Sequence, residues 1–88
     1  MTLAEFAAHV IAICVTHRAS CTSWYRTPAR NLAVGGKPTS RHLDGYAVDL
    51  VADDPLDDAL LVNDAHARGL RALRESNHVH LEAPRVPT

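Results

Sequence analysis

Three observations predict a small α+β domain in which a short antiparallel sheet carries two helices on one face. The amino-terminal segment opens on a capping box and keeps a helical apolar spacing, the signature of an amphipathic helix. Several short runs further on alternate apolar and polar residues as half-buried strands do. The chain has 88 residues, which makes one domain, spanning residues 1–88, with a core over 2–82 and a tail at 83–88. A domain of this size buries only about two thirds of the surface its unfolded chain exposes. Its core is thin, so a metal would serve stability as well as chemistry.

Thr2, with Glu5 three residues later, starts the first helix, and Leu3, Phe6, Ala7, Val10, Ile11 and Cys14 supply its stripe up to about His17–Ala19. Ser20 to Arg26 holds Cys, Thr, Trp and Tyr, residues suited to a pleated surface, and Pro28 ends that strand. Residues 28–42 are rich in Gly, Pro, Ser and Asn and read as a long functional loop with one helical turn at Pro28–Val34. Tyr46–Val51 alternates as a strand, with Asp49 pointing away from Val48 and Leu50. Asp54-Pro55 starts a second helix, roughly Pro55–Arg68, with Leu56, Ala59 and Leu60 in its apolar stripe and Gly69 just past its end. Leu70–Glu75 and His78–Glu82 form a hairpin around Ser76-Asn77.

Nine Lys and Arg against ten Asp and Glu leave no electrostatic footprint for nucleic acid or an anionic membrane. The amino terminus has neither a basic region nor a long apolar run, so no signal peptide and no membrane span is expected. Cys14 and Cys21 match no zinc knuckle and read as small buried residues; their spacing leaves a disulfide open, and one would need an oxidising compartment. The Asp53, Asp54, Asp57, Asp58 cluster lacks the ligand spacing of a calcium loop and is assigned to helix capping and solvation. His9, His17 and His66 fall on helices and are given surface or packing roles.

The chemistry lies in Ser40-Arg-His-Leu-Asp-Gly-Tyr-Ala-Val-Asp49 and in His78-Val-His80. Two imidazoles and a carboxylate hold zinc with the fourth position open to water, as catalytic rather than structural sites do. Alternation on the last strand puts His78, His80 and Glu82 on one face, with Val79 and Leu81 toward the core. A two-residue turn sets Glu75 opposite His78 on that same face. Glu82, beyond His80, reads as a supporting or rim group, and Asp44 beside Gly45 as a turn residue.

These segments, with Thr22 to Arg26, Asn31 and Val34-Gly35-Gly36, resemble in the same order peptidase family M15, the zinc D-Ala-D-Ala carboxypeptidases and phage or bacterial endolysin peptidases. The likeness covers Ser20 to Glu82, and the hedgehog domain is similar over the same elements. The resemblance implies a hedgehog/DD-peptidase-like fold and one zinc ion on His42, Asp49 and His80, with water at the fourth position. Many family members place an acid three residues before the last ligand; here that position is Asn77, which cannot take a proton. Hedgehog-like sequences carry a Glu slightly further upstream, and Glu75 fills a comparable place as the expected base. His78 is expected to donate to the oxyanion, and Arg26 to engage a substrate carboxylate or carbonyl. Tyr25 and Ser40 join Arg26 in the expected substrate-binding set, Ser40 also steadying the His42 loop.

The implied activity is hydrolysis of peptidoglycan stem peptides, either as a D-Ala-D-Ala carboxypeptidase or as an endopeptidase of the L-Ala to D-Glu type. The alternative is a non-catalytic hedgehog-like zinc domain that binds a partner. A monomer is expected, made in the cytoplasm and acting at the cell wall after release, as a phage-type lysin or as a domain of a longer protein.

Overall fold

Thr2 caps the first helix reciprocally: its hydroxyl accepts the Glu5 N–H at 3.1 Å and the Glu5 carboxylate accepts the Thr2 N–H at 3.0 Å. Two donors that a helix start leaves unpaired are thereby satisfied. This helix, α1, spans Leu3–His17 and ends where Arg18 enters the left-handed region at φ 50°. The computed structural model describes residues 1–85. After α1 come β1 (Ala19–Ser23), α2 (Pro28–Ala33), a 3-10 turn at Arg41–Leu43 and β2 (Ala47–Ala52). A second 3-10 turn at Pro55–Asp57 leads into α3 (Asp58–Ala67), followed by β3 (Arg71–Arg74) and β4 (Val79–Glu82).

The strands form one antiparallel sheet in the order β1-β2-β4-β3, with α1 and α3 sharing a single core on one face, as the sequence predicts. That core gathers Phe6, Val10 and Ile13 from α1, Val48 and Leu50 from β2, Leu61 and Ala65 from α3, and Val79 and Leu81 from β4. Each fully buried large apolar side chain contributes about 1.5–3 kcal/mol. Because alternate strand residues face opposite ways, filling the core with Val48, Leu50, Val79 and Leu81 turns Asp49, His80 and Glu82 to the other face.

Five details depart from the sequence expectations, the first being that β1 stops at Ser23 rather than running to Arg26. In α1 it is Ile13 that reaches the core, while Ile11 is exposed. In α3 the buried face is Leu61 and Ala65; Leu56, Ala59 and Leu60 face solvent, because the 3-10 turn delays the α-helix to Asp58 and resets its phase. Cys14 is half-buried and Cys21 exposed, both as free thiols, with Cys21 on the edge strand β1. Ala83, expected in the tail, is buried and donates its N–H to the Tyr46 carbonyl at 2.9 Å, extending the contact of β4 with β2. Of that expected tail, residues 86–88 lie outside the described residues.

Candidate metal centre

The face of the sheet not covered by α1 and α3 is where the polar residues collect. Asp49 and His80 are direct cross-strand partners in β2 and β4, so their side chains stand side by side. His42 arrives from the 3-10 turn, which Ser40 caps by accepting the His42 N–H at 3.2 Å. Gly45, at φ 81°, then lets the chain reverse into β2. One donor atom each from His42, Asp49 and His80 lies within 4.8 Å of the others.

Each ligand candidate has its other polar atom occupied. His42 Nδ1–H donates to the Trp24 carbonyl at 2.7 Å, which leaves Nε2 facing Asp49 Oδ1 at 3.3 Å. His80 donates Nε2–H to Glu82 Oε1 at 3.0 Å, which leaves Nδ1 at 3.0 Å from Asp49 Oδ1. The second oxygen of Asp49, Oδ2, accepts from Arg26 Nη2 at 3.3 Å. Imidazoles whose far nitrogen is pinned by a carbonyl or carboxylate are the usual form of metal-binding histidines. Two such nitrogens and one carboxylate oxygen suit zinc.

The charge states agree with that donor set. Burial alone would raise the Asp49 carboxyl, but hydrogen bonds from His42 and His80 and the nearby imidazoles outweigh it and hold the group ionised far below the usual carboxylate range. The hydrogen bond to Asp49 raises the His80 imidazole; desolvation works against this, and the Glu82 carboxylate adds to the rise. A cation entering the cluster competes with protons for these groups, so binding is coupled to pH.

The hairpin at Ser76-Asn77 has the two-residue loop read from the sequence, and the Glu75 N–H donates to the His78 carbonyl at 2.8 Å. Glu75 Oε1 lies 3.7 Å from His78 Nε2, which is itself 3.6 Å from Asp49 Oδ1. Asn77 accepts His78 Nδ1–H at 2.7 Å, so the ring's Nε2 carries a proton only in the imidazolium form. A groove of about 520 Å³ runs over these groups, walled by Glu75, His78, Leu73, Ser40, Arg26 and the Gly35–Lys37 loop. That volume is within the range of small-ligand sites.

Not every residue named from the sequence meets in this groove. Tyr25 is exposed and lines a separate depression with Trp24, Arg30 and Val34. Arg26 lines the groove, yet its guanidinium is engaged with Ser23, Asn31 and Asp49. His9 and His17 lie between α1 and α3, where His17 pairs with Asp64 at 2.9 Å and His9 accepts from Arg68 at 3.3 Å. Two contributors escaped the sequence reading, the Trp24 carbonyl that orients His42 and the exposed Leu73 opposite His80 in the register, while Asn31, named there only for the resemblance, lies buried behind Arg26. Strand alternation and hairpin register could have found Leu73; nothing in local spacing marks the Trp24 carbonyl.

A family model described as Peptidase M15 matches residues 11–82. No curated protein and no solved structure matches the chain.

Proposed function

The chain belongs to the M15 peptidases, and from that membership we propose that it is a zinc metallopeptidase that hydrolyses peptide bonds in peptidoglycan stem peptides. The observation that carries this reading is the His42–Asp49–His80 cluster, open to a groove and pinned from behind by Trp24, Glu82 and Arg26. When bound there, zinc supplies Lewis-acid polarisation of a carbonyl and makes water more acidic. The chain's own groups do the rest. Glu75, at the groove wall, takes a proton from the attacking water and returns it to the leaving amine. His78, within 3.7 Å of Glu75, is placed to donate a hydrogen bond to the oxygen on which charge develops. Ser40 holds the His42 turn, and the groove aligns an extended peptide across these groups.

Both bond choices remain within the proposal: removal of a terminal D-Ala, and internal cleavage of the L-Ala to D-Glu type. Read this way, the protein acts on its substrate as a monomer. On this reading the domain acts at the cell wall after release from the compartment of its synthesis; among the described residues no helix is long and apolar enough to cross a membrane.

A second reading, a zinc domain that binds a partner without catalysis, is favoured by one observation. Asn77, three residues before His80, has its side chain tied to His78 and offers no base. Digestion of purified peptidoglycan by the zinc-loaded protein, followed by mass spectrometry of the muropeptides, decides between them. New stem-peptide termini identify both the activity and the bond, whereas an unchanged digest with zinc bound overturns the peptidase reading.

A further inference from the structure

Asn31 is 4% exposed although it sits on α2, a helix of only six residues outside the main core. Every polar atom of its side chain is used. Its Oδ1 accepts from Arg26 Nη1 at 3.3 Å, and its Nδ2 donates to the Lys37 carbonyl at 2.9 Å. Its main-chain carbonyl accepts the Gly36 N–H at 2.8 Å. The approach is so close that a Cβ on residue 36 would stand 2.0 Å from Asn31 Oδ1; glycine is required there for space, not for backbone angle. Arg26 carries the contact inward, donating Nε to Ser23 Oγ at 3.2 Å and Nη2 to Asp49 Oδ2 at 3.3 Å.

We infer that Asn31 is a positioning residue for the metal centre, acting through Arg26 to fix the rotation of the Asp49 carboxylate and through the Lys37 carbonyl to fix the groove rim. The inference rests on the zinc reading above. A carboxylate on a strand is free to rotate about its terminal torsion unless both oxygens have partners. Oδ2 has the guanidinium, so Oδ1 stays turned toward His42 Nε2 and His80 Nδ1. The guanidinium fork is planar and directional, so it holds Oδ2 in place only while its other nitrogens are themselves fixed. Asn31 and Ser23 fix them. Removing Asn31 leaves a guanidinium lining an open groove with one anchor fewer, able to swing away from Asp49.

A double-mutant cycle on zinc affinity tests this, with dissociation constants read by competition against a chromophoric chelator, independently of any peptidase activity. Asn31→Ala and Arg26→Gln are each expected to weaken zinc about ten- to a hundred-fold, the usual effect of losing a group that orients a ligand. The double variant is expected to be no weaker than the weaker single one, because both act on the same oxygen. Additive losses, or unchanged zinc affinity in a folded Asn31→Ala whose melting temperature falls, overturn the inference and leave Asn31 as a brace of the loop alone. Should Asn31→Ala not fold, Asn31→Asp takes its place: nearly isosteric, it offers Arg26 a carboxylate in competition with Asp49, and unchanged affinity there overturns the inference equally. Wild-type protein that binds no zinc overturns the metal reading itself, an outcome distinct from additive variants of a zinc-binding wild type.

Discussion

Glu75→Ala separates catalysis from metal binding, because the structure puts Glu75 beside the cluster but not in it. Its Oε1 lies 3.7 Å from His78 Nε2, and its side chain is 45% exposed. The hairpin contact at this residue is made by its main-chain N–H to the His78 carbonyl, which truncation leaves intact. Stability should therefore move by no more than about 0.5 kcal/mol, as for other surface substitutions. Zinc content should not move at all, since the candidate ligands are His42, Asp49 and His80. Loss of a general base costs about 10²–10⁴ in rate, or about 3–5 kcal/mol of barrier. The assay pairs muropeptide release, followed by chromatography and mass spectrometry, with metal content by atomic emission on the same sample. Residual activity near wild type refutes the assignment of Glu75 as base, and loss of zinc refutes the claim that it stands outside the metal cluster.

Removing zinc with a chelator is expected to destabilise the fold. At free zinc one hundred times its dissociation constant, binding adds about 2.7 kcal/mol, worth about 10–20 °C in melting temperature for a domain this small, and calorimetry with and without metal checks it. Between α1 and α3, a hydrogen bond from His17, opposed by desolvation and reinforced by Arg68, holds the Asp64 carboxyl below its ordinary value of 3.8. The unfolded chain thus binds the proton first as pH falls, so this contribution is complete above about pH 4 and is lost as pH drops through the depressed folded value; urea midpoints measured against pH should show a shallower acid slope for Asp64→Asn than for wild type. Leu50→Ala, at a side chain with no exposure on a central strand, should cost about 2–5 kcal/mol, a large share of what a domain of this length possesses; denaturant unfolding of the metal-free protein reads it directly.

Legibility followed the range of the interaction. The face shared by His80 and its neighbours could be read because strand alternation is local: once Val79 and Leu81 are taken for the core, His78, His80 and Glu82 are committed to the opposite face, and the two-residue turn then carries Glu75 across from His78. The stripe of α3 could not be read with the same security, because a single 3-10 turn at Pro55–Asp57 shifts the phase and sends Leu60 to solvent in favour of Leu61. Ala83 escaped for another reason: its burial depends on a hydrogen bond to Tyr46, a partner 37 positions away that no spacing announces. Arg26 joins both regimes. The resemblance implied that Arg26 engages a substrate carboxylate or carbonyl; in the structure its fork holds a carboxylate of the protein itself, the Asp49 side chain at 3.3 Å. The bulge between Cys21 and Ser23, the buried Asn31 and the turn that returns Asp49 to it decide which carboxylate comes within reach of the guanidinium. An arginine whose fork is already occupied inside the protein meets a substrate only in competition with Asp49, so a gain of substrate contact at Arg26 and a loss of order at the metal ligand are expected to be coupled.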